Sequence, residues 1–168
     1  MASPDLLTSF YFSVKVNGPH WTSSDNDAAF QEASGLGKEI KTEDVGSGGE
    51  NRFKYRLPAS TTYQNLVLKR GVVLVDSHLI EWCQETLDAG LSKPVETNDI
   101  VVSLLDEKGQ TCMSWTFVKA YPVKWQMSDL KSQESSILVE TMEFAYRYFK
   151  VDDSRDNQYA GVASLFGD

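Results

Sequence analysis

Residues 137–149 read ILVETMEFAYRYF, and this stretch decides the fold class of the 168-residue chain. Successive side chains of a β-strand point to opposite faces. Leu138, Met142 and Phe144 would therefore share one face, while Ile137 and Val139 would lie on the other. A strand that is apolar on both faces leaves no face for water. In a small antiparallel domain, it predicts either a β-sandwich or contact with a neighbouring subunit.

Shorter stretches with a period of two predict the remaining strands. Apolar and polar residues alternate from Phe10 to Val16, where Asn17-Gly18-Pro19 ends the pattern. Residues 38–44 and 52–57 are predicted to form a long exposed hairpin, with a flexible glycine-rich tip at 46–50. Further strands are predicted at 63–69, 72–75, 100–105 and 111–119, the last two as a hairpin, and 137–149 is read as one long final strand.

One helix is predicted, over residues 78–89. Leu79, Trp82, Cys83 and Leu87 recur at helical spacing, and Gly90 follows where a helix can stop. The side chains of Asp76-Ser77 can accept hydrogen bonds from the first free amides of this helix. The fold class is therefore mainly β: an antiparallel β-barrel or sandwich with one flanking α-helix and a long protruding hairpin.

Length and charge limit the possible functions. A chain of this length fits one domain, and we expect residues 1–150 to form it, with 151–168 as an acidic C-terminal tail of unknown role. The net charge of −8 argues against stable nucleic-acid binding and against docking on an anionic membrane. No stretch is long and apolar enough for membrane insertion. Because Asp5 stands where a signal peptide has positive charge, we expect synthesis in the cytoplasm without a signal peptide.

Charge is unevenly distributed along the predicted hairpin. Residues 25–50 carry a net charge of −5, whereas residues 51–71 carry +5 and no acid. Under one interpretation, the two arms of a single hairpin pair across the strands. Under the other, acidic and basic surfaces meet between copies of the chain, in head-to-tail contacts that close into rings or continue as filaments. The sequence leaves both interpretations open.

No pattern typical of catalysis or of a cofactor or metal site is found. His20 and His78 are the only side chains that titrate near neutrality, and neither lies in a nucleophile or metal-binding motif. Cys83 and Cys112 lack zinc-site spacing. Asp25-Asn26-Asp27 lacks the glycine and glutamate of a calcium loop, and the 46–49 segment lacks the Lys-Ser/Thr of a phosphate-binding loop. We therefore predict a non-enzyme without cofactors.

The segment 63–71, YQNLVLKRG, resembles the tail tube proteins of contractile-tailed phages and the inner tube proteins of phage-tail-like contractile injection systems. Further similar segments follow the family's order over residues 10–149. They are residues 30–36, 48–49, 57–58, 79–82, 105–107 with 109, 115, 120–124 and 140–146.

This resemblance implies a structural protein that assembles as homohexameric rings, stacked into a hollow rigid tube inside a contractile sheath. Sheath contraction would drive the tube through a target envelope, and effectors or DNA would pass along the lumen. The implied partners are further copies of the chain, the sheath protein, baseplate or spike proteins and tube-terminating proteins. The assembled protein would belong to a virion or to an extracellular or membrane-docked injection particle.

The resemblance also implies that the hairpin at about 37–57 reaches the neighbouring ring, while excess acidic residues could line the channel and repel polyanions. Together with the charge blocks, it predicts an assembly interface formed by Glu39, Lys41, Glu43, Asp44, Gly48, Gly49, Glu50, Arg52, Lys54, Arg56, Lys69 and Arg70.

Two other classes of function stay open on sequence grounds. One is a monomeric β-sandwich module that binds a ligand or protein on Trp21 and Trp125. The other is a small enzyme that uses His20 or His78, for which no partner motif is visible.

Overall fold

A computed structural model of the chain describes residues 11–21, 30–72 and 76–153. These residues form a mainly β structure with a single helix among them, which confirms the predicted fold class. The elements are β1 (Tyr11–Asn17), β2 (Glu32–Ser34), β3 (Lys38–Val45), β4 (Tyr55–Tyr63), β5 (Leu66–Gly71), α1 (His78–Ala89), β6 (Asn98–Leu105), β7 (Thr111–Met127), β8 (Val139–Ala145) and β9 (Tyr148–Asp153).

Two antiparallel sheets share the long strand β7. In sheet A, the order is β1-β6-β7-β9, and in sheet B the order is β7-β8-β5-β2. The chain passes from one sheet to the other near Lys119, which has φ of 55° and donates its backbone N–H to Asp99 Oδ1 at 2.9 Å. A register shift between Asn98 and Ile100 lies opposite this residue. A bulge of this kind bends a strand and increases its twist, so one strand can serve both sheets.

The core lies between the two sheets and is closed by α1. Ile100 and Phe117 of sheet A and Met142 and Phe144 of sheet B have no exposed surface and belong to one cluster. From the helix, Trp82 stacks on Phe144, with ring centroids 5.6 Å apart. Full burial of each such side chain contributes roughly 1.5–3 kcal/mol.

The prediction of one continuous strand over 137–149 was wrong. β8 ends at Ala145 and β9 begins at Tyr148, and the two belong to different sheets. The intervening corner reverses the alternation, so that even-numbered side chains face the core in β8, whereas Phe149 faces it in β9. Apolar residues at both even and odd positions of 137–149 therefore mark two strands that belong to different sheets, rather than one strand buried on both faces.

The helix and both hairpins are confirmed, with different strand ends. The return strand of the long hairpin runs from Tyr55 to Tyr63 rather than over 52–57, β5 begins at Leu66, and β7 continues past 119 to Met127. Ser77 takes the N-cap position of α1 without a side-chain capping hydrogen bond. The tail predicted from 151 is part of β9 as far as Asp153.

Several predicted features lie outside the described residues. These are Phe10, the Asp25-Asn26-Asp27 segment, most of the predicted strand at 72–75, and residues 154–168.

Candidate assembly interface

The β3–β4 hairpin, called the arm from here on (residues 38–63), forms a two-stranded sheet of its own. Its strands pair from Lys38 opposite Tyr63 to Val45 opposite Tyr55, with a register shift between Ile40 and Thr42. Every residue of β3 is exposed. An isolated two-stranded hairpin is marginally stable in water, so this exposed arm is suited to gain order from contact with another molecule.

One face of the arm carries three apolar side chains beside Glu43. Val45 opposes Tyr55 across the strands, and Leu57 lies two residues further along β4 on the same face. Phe53 packs edge-on against Tyr55, with ring centroids 5.4 Å apart, and both side chains are about half exposed, at 51% and 54%. Clustered exposed apolar side chains mark interaction sites. The predicted interface omitted these residues, although the odd-numbered spacing of Phe53, Tyr55 and Leu57 could have revealed them.

The charged residues of the arm pair with one another only in part. Asp44 lies opposite Arg56, with Oδ1 3.7 Å from Nε, and Arg56 also donates to Thr42 Oγ1 at 3.1 Å. Glu43 instead faces Leu57, and Glu39 faces Thr62. Pairing within one hairpin therefore accounts for one cross-strand acid–base pair. The other predicted charges on these strands, including Lys41, are exposed.

The tip of the arm is built around a glycine turn. Gly49 has φ of +91°, and a Cβ added at Gly48 or Gly49 would meet nothing within 4 Å. Glu50 accepts hydrogen bonds from the Arg52 guanidinium and backbone, and these bonds lower the pKa of the Glu50 carboxyl. Lys54 makes no ion pair within the part of the chain that the structure describes.

The two remaining predicted interface residues lie away from the arm, on β5. Lys69 bonds Glu32 of β2 at 3.1 Å on the outer face of sheet B. Arg70 is only 3% exposed and forms an ion pair with the fully buried Glu140. Its Nη2 also donates to Ser77 Oγ at 3.0 Å. Arg70 is therefore removed from the predicted interface, because its charge is satisfied inside the subunit.

Sheet A leaves two edges open. β1 pairs with β6 alone and β9 with β7 alone among the described strands. An edge strand presents unpaired backbone N–H and C=O groups, which makes it a template for pairing with another chain.

Of the residues considered for chemistry, His20 and His78 line one small recess with Glu81, whereas Cys83 is buried in the core. His78 Nδ1 lies 3.2 Å from Glu81 Oε2 on the exposed side of α1. Burial, with a smaller contribution from the charge of Glu140, raises the pKa of the Cys83 thiol to about 12. No group of three or more His, Cys, Asp or Glu side chains that could hold a metal ion occurs among residues 11–21, 30–72 and 76–153. In the same residues, no helix has the length and hydrophobicity to cross a membrane.

The two tryptophans of the alternative ligand platform have separate structural roles. Trp125 Nε1 donates to Glu140 Oε2 at 3.2 Å, whereas the Trp21 ring packs edge-on against Trp82 at 5.7 Å. Both are half-buried against the core.

The arm and the open edges occur in a chain whose sequence matches a known family. The family described as T4-like virus tail tube protein gp19 matches residues 8–150. The chain belongs to this tail tube family. No curated protein sequence matches it.

Solved structures show the same fold in tail tube assemblies. A chain of the anti-feeding prophage baseplate structure, solved with 6-fold symmetrisation, is 28% identical. That match covers 91% of this chain and 98% of the other, with a TM-score of 0.74. A chain of the sheath–tube complex of the PVC extracellular contractile injection system is 20% identical over 89% and 93% of the two chains, with a TM-score of 0.72. Hcp1 from Flavobacterium johnsoniae is 16% identical over 86% and 96%, with a TM-score of 0.53.

The family and the structural matches agree on a structural role in the inner tube of a contractile tail or injection system. The resemblance noted in the sequence is thereby confirmed.

Proposed function

We propose that six copies of this tail tube protein close into a ring and that rings stack through the arm into a hollow rigid tube. Contraction of a surrounding sheath propels the tube, and effectors or DNA pass through the lumen. The observation that carries this proposal is the combination of an exposed, half-apolar arm with a sheet that is open at both edges. The role is mechanical and conductive, without catalysis.

The strand directions of sheet A support ring closure. Each neighbouring pair in the order β1-β6-β7-β9 is antiparallel, so β1 and β9 run in opposite directions. When copies are placed side by side by rotation, β9 of one subunit can pair antiparallel with β1 of the next. Such a head-to-tail contact closes into a ring, and closure removes both exposed edges.

The outward face of sheet A is suited to line the channel. Ser13, Ser103, Ser114 and Asp152 form one row across the four strands, and Lys15, Val101, Thr116 and Lys150 form the next. These side chains are short or polar, and the two lysines offset Asp99 and Asp152. We therefore infer a nearly neutral, hydroxyl-rich wall, instead of the acidic wall expected from the net charge. Such a wall offers polyanionic cargo few charged contacts.

The assemblies in which the structural neighbours were solved support the wider set of partners. Those neighbours come from a baseplate, a tube-terminating cap and a sheath–tube complex. For this chain, we propose the corresponding contacts with sheath, baseplate or spike and terminator proteins. Its final location is then an assembled phage tail or injection particle.

The stacking role is tested by reversing the basic charges of the arm. In the variant Arg52→Glu/Lys54→Glu/Arg56→Glu, we expect a folded subunit that forms few or no long tubes, as seen by negative-stain electron microscopy. The matched control, Lys108→Glu/Lys119→Glu/Lys131→Glu, makes the same charge change at exposed sites outside the arm. Full-length tubes from the arm variant would show that its charges are not needed for stacking.

A further inference from the structure

A cleft of about 750 Å³ lies between α1 and the segment that follows it. A smaller recess adjoins it beside His20, Trp21 and His78, and shares its central residues. Trp82 Nε1 donates to the Glu96 carbonyl at 3.1 Å, which ties the helix to the opposite wall. The cleft is therefore a feature of the folded subunit, with one wall from the helix and the other from residues 93–96.

The lining of this cleft combines acidic side chains with apolar ones. Four carboxylates and one lysine line it, namely Glu81, Glu85, Asp88, Glu96 and Lys93. Val95 lines the same cleft and is 42% exposed. Ala89 and Pro94 also line it. A surface that combines negative charge with uncovered apolar side chains favours a partner that is both basic and apolar.

The arm of the same chain has the complementary character. Arg52, Lys54 and Arg56 lie in a stretch without acids, from 51 to 71. They alternate in sequence with the half-exposed Phe53 and Tyr55. An arm inserted between two walls can present apolar and basic side chains at the same time. Charge and hydrophobicity thus match independently between the arm and the cleft.

We propose that the cleft between α1 and residues 93–96 receives the arm of a second copy of this chain. Phe53 and Tyr55 enter the cleft and cover Val95, while Arg52 and Lys54 face Glu85 and Asp88. The inference rests on the proposed stacking function and names the surface that receives the arm. The acidic partner of Arg52 and Lys54 is then α1 and its neighbouring segment, while Arg56 pairs with Asp44 of β3.

The test uses charge reversal on each side of the contact in the full chain. The arm variant is Arg52→Glu/Lys54→Glu, the cleft variant is Glu85→Lys/Asp88→Lys, and the exchanged variant carries all four changes. Glu107→Lys/Asp129→Lys serves as the control for the cleft variant, because it makes the same charge change at exposed sites elsewhere. Tube formation is measured by sedimentation over a range of protein concentrations, and ring formation by size-exclusion chromatography.

We expect the arm and cleft variants each to form rings and to need roughly tenfold or more protein to sediment as tubes, because like charges then face each other. The exchanged variant and the control should assemble close to the wild type. Normal tubes from the cleft variant, or no recovery in the exchanged variant, would overturn the proposal. If the cleft variant stacks normally but loses binding of a lysine-rich peptide, the cleft serves a different basic partner. Wild-type protein that forms no tubes would instead refute the stacking function itself.

Discussion

Arg70 and Glu140 show how one buried ion pair joins separate parts of the subunit. Arg70 on β5 bonds Glu140 on β8 and Ser77 before α1, and its guanidinium lies 5.4 Å from the Phe30 ring centroid. Glu140 also accepts from Trp125 on β7. Buried charges are tolerated only when paired and hydrogen-bonded. This explains why Arg70, a surface residue by its type, belongs to the core.

Removing one charge of this pair should strongly destabilise the subunit. We expect Glu140→Gln to lower the free energy of unfolding by about 3–5 kcal/mol, because the Arg70 charge is left buried without its partner. Glu32→Gln is the matched control. It breaks the exposed pair of Glu32 with Lys69, the residue next to Arg70 on β5, and should cost about 1 kcal/mol or less. Urea unfolding at one fixed protein concentration compares the two, and equal losses would contradict the buried-pair account.

Cys83 provides a prediction with a defined pH range. Burial raises the pKa of its thiol from the ordinary value of 9.0 to about 12, so the folded state holds the proton more tightly than the unfolded state. The corresponding stability is fully present below pH 9 and is lost as pH rises towards 12, at about 1.4 kcal/mol per pH unit. Replacing Cys83 by Ala should reduce the slope of the free energy of unfolding against pH over this range by about 1.4 kcal/mol per pH unit. An unchanged slope in urea titrations would contradict it.

At the scale of elements, α1 was predicted at its observed bounds, and the arm was predicted as a hairpin whose return strand differs. Alternating polar residues, the glycine tip and the two charge blocks are all local features, and they indicated the hairpin correctly. The apolar face was visible in the same residues, but its exposure depends on what else packs there. Whether Phe53 and Tyr55 enter a core or face solvent is decided by the tertiary structure.

The apolar face of the arm should matter for assembly and little for folding. Because Phe53 and Tyr55 are half exposed in the subunit, we expect Phe53→Ser/Tyr55→Ser to change the free energy of unfolding by about 1 kcal/mol or less. Stacking should be lost, since these side chains would be buried only between rings. Thermal unfolding and sedimentation separate the two effects. Tubes of normal length from this variant would exclude the apolar face from the contact.

The corner between β8 and β9 shows why other features could not be predicted. Periodicity reports which side chains are buried, but a strand that changes sheets produces the same pattern as a strand buried on both faces. Tyr146 fixes the corner through long-range contacts, donating its hydroxyl to the Gln64 carbonyl at 2.5 Å and packing on Phe117 at 4.8 Å. Arg70 could not be located for a similar reason, because its partner Glu140 is seventy residues away in sequence.

For the whole molecule, the two sheets have outward faces of different character. Sheet A presents two rows that hold four short hydroxyl side chains, three charged residues and one valine. Sheet B presents ion-paired charges, such as Glu32 with Lys69, and the register places Lys124 opposite Glu143. In a closed ring with continuous sheet A, one of these faces must line the lumen. Both faces carry two acids and two bases, and the four short hydroxyl side chains in two rows of sheet A make its face the proposed lumen wall.

Site-specific labelling distinguishes the two faces in the assembled tube. Ser103→Cys places a thiol on the outward face of sheet A, and Thr141→Cys places one on the outward face of sheet B. The native Cys112 is replaced by Ser in both. In tubes, we expect a small maleimide to label both positions, and a maleimide carried on a large polymer to label Thr141→Cys alone, because the lumen excludes the polymer. In rings separated from tubes, the polymer should reach both positions, which controls for local reactivity. Equal polymer labelling of both positions in intact tubes would place sheet A on the outside and would refute the proposed channel wall.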